Sequence, residues 1–149
     1  MTWSIVAVDP DSGEVGAAAA TCTVGVEMIH RLVPGRGVIV AQAATNLRAR
    51  NRGARLIADR RSADDVVASV ANRSFNPGRL WARPWTEQQY GVAVLGPEPN
   101  AANFTGSETV PWSGARAAGG LSVQGNMLRD ASVVDATFDA VSTGSVSYT

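Results

Sequence analysis

Threonine at position 2, followed without a break by the apolar run Trp3-Ser4-Ile5-Val6-Ala7-Val8, offers one route to a nucleophile. Methionine is normally trimmed from a chain whose second residue is this small, which would leave Thr2 with a free α-amine beside its own hydroxyl. A threonine hydroxyl is inert near neutral pH until a base takes its proton, and an N-terminal amine, with a reference pKa of about 8, is such a base. The chemistry would be attack on an amide carbonyl without help from histidine. Most chains that begin Met-Thr do nothing of the kind, so the pair carries weight only if other residues converge on it.

Few other groups in the chain can move a proton. The sequence contains no lysine, and a guanidinium holds its proton too tightly to act as a general base. Proton transfer therefore falls to carboxylates, tyrosine, the α-amine, Cys22 or His30. Cys22 is the single cysteine, which excludes an internal disulfide, and His30 is the single histidine, which leaves no zinc constellation. Neither a metal nor a cofactor is expected. Cys22 is a second candidate nucleophile, with His30 not far beyond it, although a lone cysteine at a strand end is more often packed or inert. The junction Ala43-Ala44-Thr45-Asn46 leads from an apolar strand into a helix, whose first N–H groups have no partner inside the helix and can hold an oxyanion. The plainer reading makes Thr45 or Asn46 an N-cap.

The elements that would position these groups are legible in outline. Residues 3–8 and 14–21 are apolar runs separated by Asp9-Pro10-Asp11-Ser12-Gly13, which predicts a hairpin. With the turn centred near Asp11, paired residue numbers sum to about 23, placing Thr2 beside Thr21 and Cys22. The small residues Gly16 to Ala20 suit close approach of another backbone or a ligand. His30 and Pro34-Gly35 read as loop, and Gly37 to Ala44 as a strand covered on both faces. A helix is expected between Asn46 and Arg60, and a second from Ser62 to about Asn72, with Ser62 and Asp65 in a capping-box pattern. Residues 74–88 read as loop. Strands follow at Gln89–Leu95, Ala102–Thr105 and Leu121–Gln124, and Asp130 is expected to cap a last helix with Val134, Phe138 and Val141 on one face. Strands first, then helices, strands and a helix describe an α+β layered protein rather than a doubly wound parallel sheet.

The chain of 149 residues fits one domain, residues 1–149, with 13 basic residues balanced by 13 acidic ones. Arg48, Arg52 and Arg55 would share a helical face, and Arg79 to Trp85 interleaves charge with aromatic rings. At zero net charge these read as solvated faces or ion pairs, so no nucleic-acid partner is expected. No apolar run is long enough to span a bilayer and no secretory leader is visible, so no membrane partner and a cytoplasmic location are expected. A homo-oligomer is the default expectation.

Thr2-Trp3-Ser4-Ile5-Val6-Ala7, Gly35-Arg36-Gly37-Val38, Ala41-Gln42-Ala43, Phe104-Thr105-Gly106-Ser107, Pro111-Trp112-Ser113-Gly114 and Val123-Gln124-Gly125-Asn126-Met127-Leu128 together resemble the bacterial and archaeal family called domain of unknown function 1028. The resemblance covers essentially the whole chain. It implies an Ntn-hydrolase-like fold, a four-layer αββα sandwich of antiparallel sheets, and no established activity. It also implies that members continue past Thr149 with a further helix and closing strands, which this chain would lack. In Ntn hydrolases the nucleophile is the first residue of the mature chain and faces the end of the second strand, which maps onto Thr2 with Thr21 and Cys22. An oxyanion-binding amide would fall at Ala44 to Asn46. Proteasome-like members tune their threonine with an aspartate and a lysine; here Thr21 or Cys22 stands where the carboxylate would be, and Arg36 is the nearest candidate for the cation. Gln42, Trp112 and Asn126, polar or aromatic residues within the family motifs, are expected to contact substrate. The resulting expectation is a hydrolase of a small amide, with Thr2, Cys22, Thr45 and Asn46 as catalytic candidates. The alternative is a metabolite-binding or scaffolding module on the same fold.

Overall fold

A computed structural model describes residues 1–73 and 83–144. Asp9 starts the first turn by accepting hydrogen bonds from the Asp11 amide at 2.9 Å and the Ser12 hydroxyl at 2.8 Å. Gly13, at φ 74°, supplies the left-handed residue that brings the chain back. Strands β1 (Thr2–Asp9) and β2 (Glu14–Thr21) then pair antiparallel with Thr2 opposite Thr21. That is the register expected from the turn.

The remaining strands are β3 (His30–Val33), β4 (Gly37–Ala43), β5 (Gln88–Val94), β6 (Asn100–Thr105), β7 (Gly114–Ala118) and β8 (Leu121–Asn126). The helices are α1 (Leu47–Ala58), α2 (Ala63–Val70) and α3 (Ser132–Ser142). Two antiparallel sheets form, in the orders β2-β1-β8-β7 and β3-β4-β5-β6. Period-two alternation sorts their side chains into three apolar clusters. Ile39 and Ala41 of β4 and Tyr90 and Val92 of β5 pack under α1 and α2. Val6, Val38, Val40 and Ala93 meet between the sheets. Leu121 and Val123 pack with Val134 and Phe138 of α3, joined by Trp3 and Ile5. The layers thus run helix, sheet, sheet, helix. Each fully buried valine or isoleucine contributes about 1.5–3 kcal/mol, so a charge at Val6 would split the two sheets.

Several expectations need correction. His30 lies in β3, not in a loop, and β7 had no counterpart in the sequence reading. β8 continues to Asn126. The small residues of β2 form an edge of their sheet, where Ala19 packs into the cluster between the sheets and His30 approaches the Ala18 backbone. Ser62 caps α2 as expected, through its hydroxyl and the Asp65 amide at 3.2 Å, but the Asp65 carboxylate turns to Arg61 instead of closing a capping box. Asp130 accepts the Ser132 amide at 2.9 Å one residue ahead of the α3 cap, Ala131. Arg48, Arg52 and Arg55 lie on the exposed side of α1. Residues 74–82, and with them Arg79-Leu80-Trp81-Ala82, lie outside the described residues. Among the described residues no helix is long and apolar enough to cross a membrane.

Candidate functional site

The interior between the sheets changes character along β1. Val8 and Val6 sit in the apolar cluster, whereas Ser4 and Thr2, further along the same inward face, enter polar surroundings. Ser4 donates to Gln42 Oε1 at 2.6 Å, and Gln42 Nε2 donates to Gln89 Oε1 at 2.7 Å. Gln124 donates back to Ser4 Oγ at 2.7 Å and accepts from Ser122 at 2.8 Å. Gln89 donates in turn to Thr105 Oγ1 and to the carbonyls of Gly114 and Gly125, at 2.9, 3.2 and 3.0 Å. All of these side chains but the half-buried Thr105 are buried, and all are hydrogen-bonded. Gly91 makes the space: a Cβ there would lie 2.1 Å from Gln124 Oε1.

Above this network opens a cavity of about 510 Å³. Thr2, Thr21, Gln42 and Asn126 line it from the strand ends, and Ala43, Ala44 and Thr45 from the β4–α1 junction. Because β1 is a central strand, Thr2 has Thr21 opposite it on one side and Asn126 on the other. Thr2 Oγ1 and Thr21 Oγ1 are 3.0 Å apart, and Thr21 Oγ1 also bonds the Met1 carbonyl at 3.0 Å and Thr23 Oγ1 at 3.1 Å. The Asn126 carboxamide is steadied by a bond from Nδ2 to Gln89 Oε1 at 3.2 Å. Ala43 and Met127, the residues that end or follow β4 and β8 at the cavity, have φ of 62° and 56°. Left-handed backbone is uncommon outside glycine and is often retained at binding sites.

The structure brings Thr2, Thr21, Gln42, Thr45 and Asn126 to one cavity. Cys22 is exposed beside it, its Sγ 3.2 Å from the Met1 amine. Asn46 is the N-cap of α1, accepting from the Arg48 and Ala49 amides at 3.1 and 3.0 Å. The amides expected to face an oxyanion are partly engaged. Ala44 N–H donates to the Glu87 carbonyl at 3.1 Å and Thr45 N–H to the Ala43 carbonyl at 2.9 Å. Two of the expected site residues, Arg36 and Trp112, lie outside the cavity lining. Arg36 sits in the β3–β4 turn, at the opposite end of β4 from Thr45, because the antiparallel register pairs Val33 with Gly37 there. Trp112 packs under α3, and its backbone exchanges hydrogen bonds with Leu128.

A sequence model described as a family of unknown function, DUF1028, matches residues 2–146. The chain belongs to the DUF1028 family. A crystal structure of a DUF1028 protein from Silicibacter pomeroyi is similar, with 30% sequence identity and a TM-score of 0.83, over 98% of this chain and 64% of that one. The present DUF1028 chain therefore spans about two thirds of that relative's length. No curated protein matches it.

Sequence reasoning missed the far wall of the cavity in this DUF1028 chain. Arg83, Glu87, Glu108 and Val110 form it. Glu87 accepts from Arg83 Nε at 2.6 Å, and Glu108 accepts from the Thr86 hydroxyl at 2.6 Å. The Val110 carbonyl takes the Met127 amide at 3.2 Å and so ties this wall to the end of β8. Turn-rich sequence around Thr105–Pro111 gave no signal of the contact. Also missed was the segment Thr23–Ile29, anchored to α1 by a hydrogen bond from Arg50 to the Met28 carbonyl.

Proposed function

We propose that this protein is an N-terminal-nucleophile amidohydrolase of Ntn-hydrolase-like architecture, with Thr2 as the nucleophile once Met1 has been removed. The observation that carries the reading is the position of Thr2: a hydroxyl on the first residue of a central strand, lining a cavity of about 510 Å³. Its volume lies in the range of small-molecule sites, about 300–1,000 Å³. In the reaction, Thr2 Oγ attacks the amide carbon while its proton passes to the α-amine. The C–N bond then breaks, and the leaving amine takes that proton from the ammonium. Water, deprotonated by the same amine, hydrolyses the Thr2 ester and restores the hydroxyl. Thr21 orients Thr2 through the 3.0 Å contact. Asn126 is the side chain best placed to meet the oxyanion, since one N–H of its carboxamide is engaged with Gln89 and a second remains.

The test compares Met1-free and Met1-retaining protein for ammonia release from a panel of small primary amides. Turnover by the Met1-free form, abolished in Thr2→Ala, is expected; equal turnover by both forms would refute the reading. One observation favours a second reading, a metabolite-binding module: the Ala44 and Thr45 amides already bond to carbonyls of the chain. That reading predicts ligand binding that Thr2→Ala leaves unaltered, with no turnover in any form.

A further inference from the structure

Among the described residues eight large apolar side chains are exposed, and six of them, Met1, Val24, Met28, Leu47, Val110 and Met127, line the cavity. Val24 is 99% exposed, so it packs against nothing among the described residues. Leu32 and Val133 lie elsewhere. Scattered apolar residues on a surface need no explanation, but a concentration around one opening marks a binding site. Among the charged side chains of the lining acid outnumbers base, the other charge there being the Met1 α-ammonium beside Cys22 Sγ and Met127 Sδ. Arg83 is already ion-paired with Glu87, which leaves Glu108, an exposed carboxylate held only by the Thr86 hydroxyl among the described residues. An anionic ligand would face this carboxylate, and a cationic one would gain from it.

We infer that the cavity selects amides with an apolar body and a cationic group, the body resting on the ring of Val24, Met28, Leu47 and Val110 and the cation directed to Glu108. This specificity rests on the Thr2 reading for its chemistry but not for its binding. Val24 and Glu108 are thus specificity residues, reached from segments that carry no part of the proposed nucleophile machinery.

At about pH 6 phenylalaninamide, N-acetylphenylalaninamide and N-acetylphenylalanine share a benzyl body and carry charges of +1, 0 and −1, which makes them a direct probe. Binding is measured by calorimetry on the full chain carrying Thr2→Ala, where no turnover can blur it. The expected order of affinity is cation, neutral amide, anion. Glu108→Gln, which keeps the acceptor for Thr86, should weaken the cation about fivefold and leave the neutral amide unchanged. Val24→Ser with Val110→Ser should weaken all three by a few fold. Equal binding of the three probes, no binding, or an order untouched by Glu108→Gln would overturn the inference. So would a dimer in sedimentation that Val24→Asp dissolves, since a second copy would then be the occupant. Ordered binding to Thr2→Ala with no hydrolysis by the Met1-free protein would uphold this specificity while removing the hydrolase reading.

Discussion

Thr2 Oγ1 and Thr21 Oγ1 lie 3.0 Å apart across the first hairpin, at the mouth of the space between the two sheets. Both partners are neutral hydroxyls, so the hydrogen bond orients the Thr2 hydroxyl without charging it. If Thr2 is the nucleophile, Thr21 is a positioning residue. Thr21→Val in the Met1-free protein should lower kcat about tenfold, the cost of one neutral hydrogen bond, while KM changes little and Thr21→Ser restores the rate. Steady-state kinetics on the best amide of the panel checks it.

Gln89 joins more partners than any other side chain beneath the site. Gln89→Leu would take one hydrogen bond each from Thr105 Oγ1, the Gly114 and Gly125 carbonyls and the amides of Gln42 and Asn126, leaving Gln42 Nε2 only the Gln124 carbonyl at 3.4 Å. Urea unfolding should show a loss of about 3 kcal/mol or more, since each orphaned buried group costs about 1–3 kcal/mol. Gly91→Ala reaches the same network from its other side by pushing Gln124 out of place. It should destabilise by about 1–3 kcal/mol.

Asn46 caps α1, and α1 begins at the cavity wall. Asn46→Ala should cost about 1 kcal/mol, read as a lowered urea midpoint at unchanged slope.

His30 faces the β2 edge, its ring bonded to the Ala18 backbone, while Nε2 is buried without a partner among the described residues. Burial holds its pKa below the ordinary histidine value of 6.5. The unfolded chain therefore takes up the proton first as pH falls, and stability contributed by neutral His30 is full above about 6.5 and lost progressively below it, until the folded pKa is passed. Unfolding midpoints measured from pH 8 to pH 5 should fall on the acid side. In His30→Asn that part of the slope should vanish.

The part of this structure visible in sequence is the part set by local chemistry. Asp9 to Gly13 fixes one turn, the turn fixes the register, and the register places Thr2 against Thr21. The polar core could not be read in the same way. Ser122, Gln124 and Asn126 alternate with Leu121 and Val123, the pattern of a strand with one wet face, yet every residue of β8 is buried because the second sheet covers the polar side. β7, Gly-Ala-Arg-Ala-Ala, contains no β-branched or aromatic residue, and only its pairing with β8 makes it a strand. Arg36 looked close to the site in the motif pattern; antiparallel pairing carried it to the far end of β4.

The most direct test of Thr2 as nucleophile is peptide mapping by mass spectrometry after treatment with an apolar β-lactone. Attack by a hydroxyl opens the lactone and leaves an ester of the full reagent mass. In Met1-free protein the adduct is predicted on Thr2 and absent from Thr2→Ala and from Met1-retaining protein. Labelling confined to Cys22, or no labelling of Thr2 once Met1 is gone, would contradict the account.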